Sequence, residues 1–187
     1  DLGARKGSEI DVLLDLSNRR LTDASLRTCL QIDGTKLVKK NKKKSGRPFE
    51  IVKADANALT DEGVTALVKF MQRHKLQVKY LDLSGNLLSE PESICDLIGV
   101  EASLRELDLS NTGIGELGLV AIFQKLLEVR LSTCAQLHPP FTLHLHKGDV
   151  PTSLGDFVIG FQQQGLLISV QSLDTRNLHP EGADVCI

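Results

Sequence analysis

Aromatic residues and long apolar runs are both scarce in this sequence. The 187-residue chain has no tryptophan, and aromatic residues make up only 4% of it. A core with so few rings has to be filled by Leu, Ile and Val, which favours a repeat architecture. No apolar run approaches the ~18 residues that a membrane-spanning helix needs, so no membrane span is expected. The polar stretch from Asp1 to Glu9 does not resemble a signal peptide.

Paired cysteines are also lacking. The four cysteines lie far apart and form no Cys-x-x-Cys pair: Cys29, Cys95, Cys134 and Cys186. Their predicted positions, on buried helix faces and at a turn, suit reduced thiols, so we expect an intracellular protein of the cytoplasm or nucleus. The formal net charge is only −2, and the length suffices for one domain with a substantial core.

What the sequence does contain is a repeated pattern. Three segments align closely: Leu14-Asp15-Leu16-Ser17, Leu81-Asp82-Leu83-Ser84 and Leu107-Asp108-Leu109-Ser110. Because side chains alternate across a strand, Leu at every second position would build one apolar face. Looser copies are centred on Lys53, Arg130 and His144, and a last copy starts at Leu173. The pattern predicts a series of short strands.

The turn after each strand needs a polar side chain, because the chain bends inward and leaves backbone groups without ladder partners. Asn57 and Asn86 stand at this position and can satisfy those groups with their amides. Cys134 occupies the same place in a later copy, whereas Arg19 and Thr112 depart from the pattern.

Between the strands the apolar spacing becomes helical. Residues at i, i+3, i+4 and i+7 are apolar in three segments: Val64, Leu67, Val68 and Met71; Leu119, Ile122, Phe123 and Leu126; Leu154, Phe157, Val158 and Phe161. Thr22 and Thr60 are predicted helix caps. Each unit is therefore strand, turn and helix, and its apolar faces are buried only when units stack.

These units resemble leucine-rich repeats of the ribonuclease-inhibitor type, most clearly over residues 59–67 and 81–86. The resemblance covers most of residues 10–135. It implies an α/β solenoid, a curved horseshoe with short parallel strands on the concave face and helices on the convex face. We expect a single domain over residues 1–187, with about six to seven repeats that are degenerate over 136–187.

The repeat spacing is uneven. Leu16 and Ala54 are 38 residues apart, whereas the family's unit is about 28 residues, so an insertion is expected at 34–48. The predicted centres Leu131 and Leu145 are only 14 residues apart, which leaves no room for a helix. A further helix is predicted at 180–183, where the chain stops. This favours either a fragment of a longer repeat protein or an end that self-associates with another chain.

The residues between the core positions would face outward on the concave side. They are Asp15, Lys53, Asp55, Tyr80, Asp82, Glu106, Asp108, Glu128, Arg130, His144 and His146. The central ones are mostly acidic, with one aromatic residue, Tyr80. We predict that this face binds a protein partner with a basic surface. In the alternative, the aspartates only keep the sheet soluble.

The insertion is strongly basic. It carries Lys36, Lys39, Lys40, Lys42, Lys43, Lys44 and Arg47. No apolar residue falls between Lys39 and Pro48, which predicts an exposed loop. Such a loop could bind nucleic acid, anionic lipid, an acidic protein surface or a nuclear import receptor, or be a solvated loop without a partner. No aromatic residue interleaves the lysines, so base stacking is not predicted.

No catalytic motif, cofactor site or complete metal site stands out. His144 and His146 share one strand face, but zinc needs further ligands, and Asp149 is the only local candidate. We therefore expect no metal, no cofactor and no enzyme activity, and predict a non-catalytic scaffold. Activators of the Ran GTPase resemble this chain in fold and supply a third hypothesis, a GTPase-activating role, although none of their functional residues can be placed here.

Overall fold

The computed structural model describes residues 13–36, 38–40, 49–100, 103–132, 140–146, 148, 150, 166–171 and 185–186. The strands are β1 (Leu13–Asp15), β2 (Ile51–Lys53), β3 (Tyr80–Asp82), β4 (Glu106–Asp108), β5 (Phe141–His146), β6 (Leu166–Gln171) and β7 (Val185–Cys186). The helices are α1 (Asp23–Cys29), α2 (Asp61–His74), α3 (Glu92–Val100) and α4 (Glu116–Ser132). A π-helical turn, Leu30–Gly34, follows α1 directly, and residues 35–36 and 38–40 are helical as well.

The strands form one open sheet in sequence order. β1 to β6 are parallel, and β7 is antiparallel to β6. The register places Leu14, Val52, Leu81, Leu107 and Leu143 in one row across the sheet. All five side chains are buried. The sheet and its alternation with helices confirm the predicted α/β leucine-rich-repeat solenoid.

Strand and helix side chains share one aliphatic core. Val64, Leu67 and Met71 of α2 are buried, as are Leu119 and Ile122 of α4, so the helical spacing predicted the buried faces correctly. Each such side chain contributes about 1.5–3 kcal/mol when fully buried. Because the core runs from repeat to repeat, no single unit buries its own apolar faces.

Both predicted helix caps are present. The Thr22 hydroxyl accepts the backbone N–H of Ser25, and the Ser25 hydroxyl accepts the N–H of Thr22 at 2.8 Å, which closes a capping box before α1. The Thr60 hydroxyl accepts the N–H of Glu62 before α2. These caps fix where each helix begins, and hence the length of each turn.

The asparagine side chains join neighbouring repeats. The Asn57 amide donates to the Leu16, Ala54 and Asp55 carbonyls at 3.0 Å, and its Oδ1 accepts from the N–H groups of Arg19 and Leu21. The Asn86 amide donates to the Ala54 and Leu83 carbonyls at 2.9 Å and, more weakly, to Ser84, while its Oδ1 accepts from Leu59. The turn function predicted for both residues is confirmed, and each also bonds the preceding repeat.

A second set of bonds links the helix starts. Asp23, the first residue of α1, accepts the N–H and the hydroxyl of Thr60, the cap of the next helix. Asp61 opens α2 and accepts from the N–H and hydroxyl of Ser89 and the N–H of Glu90. Two separate hydrogen-bond systems thus connect repeats, one at the turns and one at the helix starts.

The expected strand at 129–131 is wrong. Those residues belong to α4, which continues to Ser132, and Leu131 is 68% exposed where a strand leucine would be core. Glu128 and Arg130 therefore lie on a helix and not on the sheet, and Glu128 pairs with Lys125. The apolar spacing that starts at Leu119 carries on without a helix breaker, so the helix overrides the local strand-like motif.

The basic insertion is also not a loop over its described part. Lys36, Lys39 and Lys40 lie in helical residues that continue beyond the π-helical turn, and their side chains are exposed. Val38 among them is buried and anchors the segment to the core. Lys42, Lys43, Lys44 and Arg47 lie outside the described residues.

Several predictions for the C-terminal part can be compared with the structure. The predicted strand around His144 is confirmed as β5, whereas β6 was not predicted. The helix expected around Leu154, the helix at 180–183, the turn residue Cys134 and the copy at Leu173 all lie outside the described residues.

Candidate functional site

The sheet face opposite the helices carries two rows of polar side chains, which we call the open face. The register gives the first row as Tyr80, Glu106 and Thr142, flanked by Ile51 and Leu167, and the second row as Asp15, Lys53, Asp82, Asp108, His144 and Ser169. Neighbouring strands are about 4.8 Å apart, so adjacent members of a row can touch one ligand group together.

Each aspartate of the Asp-Leu-Ser motif also has a local structural role. Asp15, Asp82 and Asp108 accept the backbone N–H of the serine two residues later, at 3.0, 3.1 and 2.9 Å. The Ser84 hydroxyl donates to Asp82 as well, at 2.7 Å. The motif therefore holds the strand end in place and fixes the direction in which each carboxylate points.

The centre of the open face is an acidic pair, Asp82 and Asp108. The two residues are register partners and only 9% and 8% exposed. Among the described residues, neither forms an ion pair with a lysine or arginine. Burial raises the pKa of Asp82, the Asp108 and Asp55 carboxylates raise it further, and the hydrogen bonds from Ser84 oppose the rise. The pair therefore consists of two buried, adjacent carboxylates that form no ion pair with a basic side chain among the described residues.

Lys53 lies between Asp15 and Asp82 in the second row of the open face. Burial alone would raise the pKa of Asp15, but hydrogen bonds from Ser17 and the charges of Arg19 and Lys53 lower it overall. The pKa values of Asp15 and Asp82 thus shift in opposite directions, down for Asp15 and up for Asp82.

Tyr80 and His144 flank the acidic pair. The Tyr80 hydroxyl donates to Asp82 at 3.2 Å. Burial and then the Asp82 and Asp108 carboxylates raise the pKa of Tyr80, which keeps the phenol protonated. His144 places Nε2 at 3.6 Å from the Glu106 carboxylate. An aromatic ring and an imidazole thus border the two carboxylates.

Polar atoms beside the pair are buried without a hydrogen-bond partner. The Ser110 hydroxyl and the Nε2 atoms of His144 and His146 are of this kind within the part of the chain that the structure describes. His146 is 9% exposed, and its Nδ1 accepts the N–H of Gly148, so its Nε2 carries a proton to donate. A buried polar group without a partner costs about 1–3 kcal/mol. These atoms supply further bonding capacity at β4 and β5.

Most of the predicted face residues come together. Lys53, Tyr80, Asp82, Glu106, Asp108 and His144 lie on the open face, and Asp55 follows β2 at the same edge. Glu128 and Arg130 do not join them, because both belong to α4. Lys36, Lys39 and Lys40 lie on the helical segment after α1 and so form a separate group.

The sequence analysis missed part of this face. It did not identify Ser84 and Ser110, although the serine recurs two residues after each aspartate, nor Thr142 and Leu167 of the outer row. The strand β6 had a signal, a short apolar run over 166–170 after Gly165.

The described residues contain no group of three or more His, Cys, Asp or Glu side chains that could hold a metal ion. Among the helices of those same residues, none is long and apolar enough to cross a membrane. Cys29 and Cys95 are free thiols, and burial raises the pKa of both. The arrangement offers charge, hydrogen bonds and an aromatic ring for binding.

The fold and this face define an α/β solenoid with an open binding surface. Two family models match the chain: Leucine Rich Repeat over residues 77–97 and Leucine Rich repeat over residues 102–123. These two matches, together with the fold, support a leucine-rich-repeat protein. The first match contains β3 and most of α3, and the second contains β4 and the first part of α4. No curated protein matches the chain.

Proposed function

We propose that this protein is a non-catalytic interaction module whose open face binds a basic segment of a protein partner. Leucine-rich-repeat domains generally mediate protein–protein interaction, which supports the class. The observation that carries the proposal is the acidic pair Asp82 and Asp108, which is buried and adjacent and forms no ion pair with lysine or arginine among the described residues. A lysine or arginine of the partner would bridge the two carboxylates, and Arg fits best because its planar group bonds carboxylates at two points.

Tyr80 supplies the apolar part of this contact. Its ring is half-buried beside the pair, and its hydroxyl is fixed by Asp82. A ring held in one orientation loses little entropy on binding, and tyrosine is enriched among residues that dominate interface energies. We expect the partner to place an apolar residue next to its basic one.

A peptide-display selection tests this proposal. Peptides selected on the wild-type protein should be enriched in arginine or lysine next to an apolar residue. The variant Asp82→Asn with Asp108→Asn keeps the side-chain shape and removes both charges, so it should bind those peptides at least about tenfold more weakly. Tyr80→Ala should weaken them by a similar factor.

The matched control is Glu90→Gln with Glu92→Gln, which removes the same charge before and at the start of α3, away from the open face. It should bind the selected peptides like the wild type. The proposal is wrong if the selected peptides show no basic preference, or if the control loses as much affinity as the Asp82 and Asp108 variant.

Two further functions stay hypotheses for direct tests. Polyanion binding or nuclear import through the basic segment predicts affinity that falls steeply with salt and with Lys39→Ser and Lys40→Ser. A GTPase-activating role predicts faster GTP turnover by Ran in the presence of this chain. The free Cys29 and Cys95 support our proposal of an intracellular location.

A further inference from the structure

A groove on the helical side has an apolar floor and a positively charged rim. It lies where the π-helical turn packs beside α2, and its volume is about 170 Å³. Leu30, Ala66 and Phe70 form the floor, and Phe70 is only 7% exposed. Gly34 makes this close packing feasible, because a Cβ there would lie 2.9 Å from the Phe70 ring. We call this site the basic groove.

The rim consists of basic side chains from two helices. Arg27 comes from α1, and Lys69, Arg73 and His74 come from α2. Arg27 pairs with Glu62 at 2.8 Å, but Lys69 and Arg73 form no ion pair within the described residues. Like charges four residues apart on a helix repel each other, so the sequence keeps Lys69 and Arg73 together at a cost in stability. None of the described side chains that line the groove is acidic.

The positive charge continues beyond the rim. Lys36, Lys39 and Lys40 follow the π-helical turn on the same helical segment, and all three are exposed. π-helical turns are rare and often occur at functional sites. These three exposed lysines therefore follow the wall of this groove directly in the chain.

We infer that the basic groove binds an acidic peptide segment of a protein partner, with one apolar side chain on the floor and Asp or Glu residues against the rim. The volume is below the ~300–1,000 Å³ typical of sites for small-molecule ligands, and it suits a single side chain. The apolar floor explains why an inorganic anion alone would fit poorly, and the rim explains why the flanking residues must be acidic. This surface and the open face lie on opposite sides of the solenoid and bind partners of opposite charge.

Nucleic acid fits this groove less well. Binding of single strands relies on exposed aromatic rings on which bases stack. Phe70 is the aromatic residue that lines the groove together with His74, and its ring packs against that imidazole at a centroid distance of 4.6 Å. The ring is thus covered, and stacking of a base on it would require displacement of His74.

Fluorescence anisotropy with a defined probe tests the inference. The probe is a labelled peptide with one leucine flanked on both sides by glutamates, and the comparison peptides replace the leucine by glycine or the glutamates by glutamines. Lys69→Glu with Arg73→Glu should weaken the probe about tenfold or more. Lys75→Glu with Lys125→Glu is the matched control, because it changes the charge equally at exposed or half-buried positions that do not line the groove. It should bind the probe nearly as the wild type does.

A second variant tests the floor without altering charge. Ala66→Leu fills the groove at a half-buried helical position, so it should fold normally, as a thermal melt would show. It should reduce the affinity of the leucine probe to that of the glycine peptide. The inference is wrong if leucine and glycine peptides bind the wild type equally, or if both charge variants weaken binding to the same extent. It is also wrong if uridine-rich single-stranded RNA or phosphatidylserine vesicles depend on Lys69 and Arg73 while the peptide does not.

Discussion

Replacing Asn86 should destabilise the protein more than most single substitutions do. The side chain is 2% exposed and bonds three buried backbone groups, the carbonyls of Ala54 and Leu83 and the N–H of Leu59. Asn86→Ala leaves all three without partners, at about 1 kcal/mol each, so the free energy of unfolding should fall by about 3 kcal/mol. Urea unfolding followed by far-UV circular dichroism measures this loss.

Two companion variants separate the cause. Thr112 stands at the equivalent turn of the next repeat, and its hydroxyl donates only to the Leu109 carbonyl, so Thr112→Ala should cost about 1 kcal/mol or less. Asn86→Asp keeps the shape but turns an acceptor toward two carbonyls, and it should cost at least as much as Asn86→Ala. A loss below about 1 kcal/mol for Asn86→Ala, or a similar loss for Thr112→Ala, would refute this account of the turn.

Two further predictions concern packing and charge. Gly113→Ala should destabilise the protein by about 1–3 kcal/mol, because the new Cβ would lie 2.7 Å from the Leu88 carbonyl oxygen. The Cβ of Gly115→Ala would meet nothing within 4 Å, so this variant should be neutral or slightly stabilising. Thermal melts of both variants check this difference. Asp82→Asn should raise the melting temperature at pH 7. The pKa of Asp82 is raised in the folded protein, so its carboxyl contributes stability fully below the ordinary pKa of aspartate and loses it as the pH rises through the pKa of the folded state. Asp15→Asn should lower the melting temperature at pH 7. The pKa of Asp15 is lowered in the folded protein, so its carboxylate contributes stability above the ordinary pKa of aspartate and loses it as the pH falls through the pKa of the folded state. A shift of the same sign for both variants at pH 7, or one that persists unchanged at pH 3, would contradict the charge argument.

The central repeats could be predicted because several independent features of the sequence indicated the same repeat unit. In the repeat that starts at Leu81, the alternating leucines and the turn residue Asn86 indicated the same unit. In the repeat that starts at Leu107, the alternating leucines and the helical spacing from Leu119 agreed, although Thr112 departs from the turn pattern. Asn86 was predictable in its role because its amide carries two N–H donors and a carbonyl acceptor, whereas a hydroxyl carries only one donor. The acidic pair followed from the same frame, because the residue between two core leucines has to face outward.

Where the repeat pattern was weak, a short local similarity to a repeat strand led to a wrong prediction. The segment 129–131 resembles a repeat strand, but no glycine or proline ends α4 before it, and the helical spacing wins. The helical state of Lys39 and Lys40 was hidden because charged residues give no periodicity, and a single buried residue, Val38, holds that segment. The basic groove depends on packing between α1 and α2, which spacing within one segment cannot show.

The turn side chains have a consequence for how the solenoid moves as a whole. Asn57 and Asn86 each bond the repeat before them, so the first three repeats are joined into one block. Among the described residues, the Thr112 hydroxyl donates to the Leu109 carbonyl of its own repeat, so this side chain does not link the repeats of β3 and β4 as Asn57 and Asn86 link the earlier ones. Asp82 belongs to the block and Asp108 to the repeat beyond it. A partner that bridges the two carboxylates would restrict the motion of these two repeats relative to each other. Binding at the open face should therefore make the two halves of the solenoid move as one rigid body.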